Sequence, residues 1–191
     1  MILKKNVIVF LFFLYLSLII GFYFGEDSLG GAYNDFISHS HIAERFRDNF
    51  IYTLLNYDDL GHRHSPIFYI FKSFVLMLGE TNQKIFFLHL YLLIPFFFYK
   101  SLRIIYFKSD KNNLIMLSAV LLLFPTFRSY SFWPDPHLLG TLFFIISIYF
   151  YSKFLTKKNF FKNAVLNTIF LALSAYISPN FGVFVIFFIY E

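Results

Sequence analysis

Residues 1–24 read MILKKNVIVFLFFLYLSLIIGFYF, in which Lys4 and Lys5 precede an unbroken apolar run ending at Phe24, with no small-x-small cleavage site after it. A signal peptide has the same basic and apolar regions but a shorter apolar stretch and a cleavage site. This segment is therefore read as an uncleaved signal anchor whose start lies in the cytoplasm. A helix needs about 20 mainly apolar residues to cross a bilayer. Counted that way, the apolar runs give an all-α polytopic membrane protein, residues 1–191 forming a single transmembrane domain. The expected spans are about 6–24, 85–107, 113–127, 137–155, 163–178 and 180–191, six in all.

Composition agrees with that reading. Hydrophobic residues make up 58% of the chain and charged residues 14%, and the charges sit in short clusters between long apolar runs, so no polar shell could solvate a buried core of this size in water. The formal charge of +5 is explained by topology, and no nucleic-acid partner is expected. With the N-terminus inside, Lys4, Lys5, Lys100, Arg103, Lys108, Lys111, Lys153, Lys157, Lys158 and Lys162 face the cytoplasm, whereas Arg45, Arg47, Arg63, Lys72, Lys84 and Arg128 fall outside. Short cytoplasmic loops collect Lys and Arg, and this distribution follows that rule. Nearly all the acids then fall outside. The chain holds no cysteine, which removes disulfides, thiolate metal sites and Cys nucleophiles.

The outer loop, 25–84, is the one sizeable non-membrane segment, expected to carry amphipathic helices lying on the membrane surface. Asn34 or Asp35 can cap a helix with an apolar stripe of Phe36, Ala43, Phe46 and Phe50, and a second helix opens at Ser65-Pro66. The run 66–78 is too short to span, contains Lys72 and would invert every later loop, so it is read as interfacial or re-entrant.

Three stretches of the outer face can carry chemistry. In the first, Asp35 and His39 are four residues apart and adjacent on a helix, with Glu44 further along; Asp35 could serve as a general base or merely as a cap. The second, Gly61-His62-Arg63-His64-Ser65-Pro66-Ile67-Phe68-Tyr69, could hold a phosphate with Arg63 and His64 or simply meet anionic headgroups. The third, Arg128 to His137, contains Trp133, Asp135 and His137; Arg128 and Asp135 could form a surface pair or help close one cleft with Asp35. Glu26-Asp27 is a rival acidic site, followed by a turn at two glycines. The histidines near these acids admit a divalent metal, although their spacing matches no dedicated site.

This order of features resembles the GT-C superfamily of membrane glycosyltransferases that use polyprenyl-phosphate sugars, such as protein mannosyltransferases and the aminoarabinose transferase of lipid A. Asp35 and His39 match the ends of its Asp-Glu-x-x-His/Tyr motif, with Phe36 where the family often has Glu. Ala43-Glu44 resembles the Ala-Glu that follows, residues 61–69 resemble the Pro-Leu/Ile-x-Tyr stretch, and Pro134-Asp135 resembles the acid of the next outer loop. The resemblance implies transfer of a sugar from a lipid-linked donor to a hydroxyl of a glycan, lipid or protein acceptor, at the outer face of a bacterial inner or plasma membrane. It implies catalytic roles for Asp35 and Asp135 and substrate-binding roles for His39, Glu44, Arg63, His64, Tyr69, Arg128 and His137, with no required cofactor. The family's usual complement of spans is larger, which implies that this chain is an N-terminal portion. The other class to weigh is a non-enzymatic membrane protein, a transporter or flippase for lipid-linked sugars or a scaffold subunit.

Overall fold

A computed structural model describes residues 3–61, 64–156 and 159–186, and the described residues contain helices and turns but no strand. Four helical segments are long and apolar enough to cross a membrane: Lys5–Tyr23 (α1), Glu80–Ile105, Pro136–Leu155 (α9) and Phe160–Ile177 (α10). The second comprises Glu80–Tyr91 (α5) and Leu93–Ile105 (α6), joined at Leu92. At about 1.5 Å per residue, the 19 residues of α1 extend ~28 Å, close to the thickness of a hydrocarbon core.

The expected span at 113–127 is instead a broken element. Lys111–Ala119 (α7) tightens into a 3₁₀ turn over Val120–Leu123, and Pro125–Phe132 (α8) departs at 65°. Pro125 causes the break, because its ring clashes with the preceding turn and pushes Phe124 out of the helical region, to ψ 133°. Counted as one crossing, the bent pair brings the candidates to five. Of the expected final span, Pro179–Phe184 is a short 3₁₀ helix and the last five residues lie outside the described residues.

The segment after α1 ends sooner than expected, since α5 begins at Glu80 rather than at residue 85. Gly79, at φ 83°, makes the reversal that only glycine adopts without strain. Ala32–Asp48 (α2), Phe50–Leu55 (α3), a 3₁₀ turn at Tyr57–Leu60 and Pro66–Leu76 (α4) fill this segment. α2 starts at Ala32, so Asp35 lies in its first turn rather than at its cap. Phe36, Ala43 and Phe46 form the buried stripe, but Phe50 falls beyond the break at Asn49 and is exposed. α4 opens at Ser65-Pro66 as expected and packs its Phe68, Tyr69 and Lys72 inward.

Two ends are distinct. Lys4 Nζ meets Asp110 Oδ2 at 2.8 Å, joining the start of α1 to the α6–α7 connection. At the other end Trp133 Nε1 donates to Glu26 O, Leu29 N donates to Ser129 Oγ, and the starts of α9 and the end of α10 meet through Ser174 Oγ donating to Gly140 O. The acids Glu26, Asp27, Asp35 and Asp135 thus gather opposite the lysine-bearing N-terminus.

Candidate functional site

Asp135 sits before the first turn of α9, where the free backbone N–H groups of a helix need an acceptor. Its Oδ1 accepts from His137 N at 2.7 Å. Its Oδ2, on the other side, accepts from His39 Nε2 at 3.2 Å, and Tyr69 OH lies 3.1 Å from His39 Nδ1. The carboxylate accepts from His39 Nε2–H, and with that proton on Nε2 the Nδ1 accepts from the tyrosine hydroxyl. Tyr69, His39 and Asp135 are 0%, 7% and 3% exposed, so this relay is buried and every one of its polar atoms named here is used. It ties α2, α4 and α9 together.

Asp35 differs in kind. One turn before His39, it points outward, and its carboxylate has no hydrogen bond or ion pair among the described residues. The two residues share a helix face but not an environment: His39 turns into the core, and Asp35 faces a cleft of about 360 Å³. That cleft is also lined by Ser38, His39, Gly61, His64, Tyr130, Asp135 and His137, so all three stretches singled out in the sequence contribute to it.

Three imidazoles meet edge to face along it, His39 against His64 with centroids 5.8 Å apart and His64 against His137 at 4.8 Å. His137 Nδ1 lies 2.8 Å from Ser178 Oγ, which fixes that ring, while Tyr57 OH donates to His64 O and fixes that backbone. Burial, followed by the neighbouring His137, holds His64 below its usual imidazole range, so it is neutral near pH 7. Its Nδ1 is buried without a hydrogen-bond partner among the described residues, while the side chain also meets the Ile177 backbone.

Arg128 is not in the cleft and does not pair with Asp135. Its guanidinium grips Glu26, Nε to Oε1 at 2.7 Å and Nη2 to Oε2, and its other donors reach Ser17 Oγ and O. The Arg128 hydrogen bond holds the Glu26 carboxyl below its usual range. Gly21 makes room for this clamp: a Cβ there would collide with Glu26, Arg128 and the Phe132 ring. Glu44 lies on a different face of α2 beside His41 at 3.3 Å, away from the cleft. Arg63 lies outside the described residues.

Sequence reasoning missed Ser38, Tyr130 and Ser178. Ser38 was findable, being one turn from Asp35 on the same face. Tyr130 lies within the Arg128 to His137 stretch but has no local feature that sets it apart, and Ser178 reaches His137 across 41 positions with no local signal. Among the described residues, no group of three or more His, Asp and Glu side chains is arranged to hold a metal ion. No protein-family model, no curated protein and no solved structure matches this chain.

Proposed function

We propose that this chain is a GT-C-like membrane glycosyltransferase, inserted with the Asp35 cleft on the outer face, that transfers a sugar from a polyprenyl-phosphate donor to an acceptor hydroxyl. The observation that carries the reading is a carboxylate, Asp35, without a partner among the described residues and facing imidazoles across one open cleft at the end of the helices away from Lys4. A base must be free to receive a proton, and Asp35 is, whereas Asp135 is fully engaged.

In this mechanism Asp35 takes the proton of the acceptor hydroxyl as its oxygen bonds to the anomeric carbon. The bond from that carbon to the phosphate oxygen breaks, and the lipid phosphate leaves with the electron pair. The His137 ring, which lines the cleft, hydrogen-bonds to the departing phosphate, a task for which Arg128 is too far committed to Glu26. Asp135 is a positioning residue, holding His39 and the start of α9. The prenyl chain lies among exposed apolar side chains of the spans, such as Phe12, Phe13 and Ile20 of α1. Six crossings require the chain from Pro179 onward to form one more.

The test is transfer of radiolabelled sugar from polyprenyl-phosphate donors by the intact chain in proteoliposomes. Asp35→Asn should slow transfer about 10²–10⁴-fold, the usual contribution of a general base. Transfer at the unchanged rate overturns the assignment of Asp35. No transfer by the wild-type chain from any donor overturns the enzyme reading in favour of a carrier or scaffold for lipid-linked sugars.

A further inference from the structure

The cleft does not end at Ser38. Two further hollows, of about 270 and 380 Å³, continue it along α2: Ser38 is common to the cleft and the first, and Arg45, Asp59 and Leu60 are common to the first and second. The helix supplies the floor, because Asp35, Ser38, Ile42 and Arg45 recur at intervals of three or four and so share one face, with Asn49 following at its end. The 3₁₀ turn at Tyr57–Leu60 and the inner face of α3 supply the wall. From Asp35 to Asp48 the floor is thirteen residues long, about 20 Å at the helical rise.

The lining has a definite chemistry. The Arg45 guanidinium and the Asp59 and Asn49 side chains make no hydrogen bond or ion pair among the described residues, so their donors and acceptors are open to a ligand. Asn56 uses only its amide nitrogen, on Tyr52 O, leaving its side-chain oxygen free. Tyr52 is 65% exposed and presents a ring with a polar tip. Planar polar groups alternating with an aromatic face suit a polyhydroxylated chain, which offers hydroxyls at its edges and C–H surfaces on its ring faces. With Asp48 paired to Arg47 at 2.9 Å, the carboxylates of Asp35 and Asp59 still outnumber the Arg45 cation along this path, which disfavours a polyanionic ligand. The opposite face of α3, with Ile51 and Leu55 at 64% and 78% exposed, is apolar and suits contact with the bilayer surface.

We infer that the groove from Asp35 to Tyr52 binds the acceptor of the proposed reaction, and that this acceptor is an extended neutral glycan whose terminal hydroxyl reaches Asp35. The inference rests on the glycosyltransferase reading of the cleft, and its test is separable from that reading because it measures binding without transfer.

Saturation-transfer NMR on the full chain in nanodiscs, with linear neutral hexasaccharides of glucose, mannose or N-acetylglucosamine as probes, should show binding of at least one. Tyr52→Ala and Arg45→Gln should each weaken it about tenfold, with unchanged thermal melting, since both side chains lie on the surface. Asp35→Asn should slow transfer about 10²–10⁴-fold without the tenfold loss of hexasaccharide affinity expected of the groove variants. Absence of binding by all three sugars, full affinity in both groove variants, or displacement of the sugar by a basic peptide that binds more tightly overturns the inference. Transfer that survives Asp35→Asn while the groove variants still lose the sugar overturns the assignment of the base and leaves the groove standing.

Discussion

Replacing Asp135 by alanine removes two interactions at once, and their sizes can be worked out separately. The first is the cap on α9, the 2.7 Å hydrogen bond from His137 N, whose loss costs about 1 kcal/mol. The second is the acceptor for His39 Nε2–H, which at 7% exposure is left inside the protein without water, for about 1–3 kcal/mol more. Asp135→Ala should therefore destabilise the chain by about 2–4 kcal/mol in equilibrium unfolding from mixed micelles. Asp135→Asn should cost only about 1 kcal/mol, because the amide oxygen keeps the cap. The amide NH₂ then faces a His39 that has moved its proton to Nδ1, from which it donates to the Tyr69 oxygen. Pairing Asp135→Ala with His39→Ala should give a coupling energy of about 0.5–3 kcal/mol. An unchanged unfolding midpoint for Asp135→Ala, or an asparagine variant as unstable as the alanine one, would refute the buried relay.

Other outcomes follow from the same contacts. Glu26 is held as the carboxylate by Arg128, so its contribution is complete above its ordinary value of 4.5 and is lost as pH falls through the lowered folded value. The melting temperature of wild type should accordingly fall more steeply below pH about 4.5 than that of Glu26→Gln, which should melt lower at pH 7 and approach wild type in acid. Gly21→Ala should destabilise by about 1–3 kcal/mol, since the added methyl must push apart the Glu26–Arg128 clamp, and a variant melting like wild type would contradict that packing. Lys72 is fully buried, donates to Phe36 O at 3.2 Å and sits 4.1 Å from the Phe36 ring centroid; burial pulls it down to about 7. The unfolded chain binds this proton more tightly, so stability should rise between pH 7 and the ordinary value of 10.5, and Lys72→Met should remove that rise.

What could be read from the residues was whatever repeats along the chain. The anchor at 6–24 and the spans at 137–155 and 163–178 correspond to α1, α9 and α10 within a residue or three, because long apolar runs fix a helix without reference to anything else. Lys72 excluded a crossing for 66–78 by its charge, and α4 is indeed an eleven-residue helix, but no periodicity foretold that the ammonium would be buried against Phe36. Pro125 was visible, yet the bend it produces depends on how α8 packs against α5. The three stretches around Asp35, His64 and Asp135 converge on one cleft, whereas the separation of roles within it was not legible. Helical spacing makes Asp35 and His39 neighbours; only the tertiary partners, Asp135 at 96 positions and Tyr69 at 30, turn one inward and leave the other free. Arg128 and Glu26, 102 positions apart, find each other for the same reason, so neither the Asp135 pairing nor a phosphate-binding role for Arg128 follows from local sequence.

Because the chain has no cysteine of its own, a single Ser38→Cys places one thiol on the lip of the cleft. Intact cells expressing this variant, treated with a membrane-impermeant maleimide, report directly which side of the bilayer the cleft opens on, with Lys108→Cys as the control for the opposite end. Ser38→Cys should be labelled in intact cells and Lys108→Cys only after permeabilisation. Labelling of Ser38→Cys that requires permeabilisation would place Asp35 in the cytoplasm and contradict the account at its base.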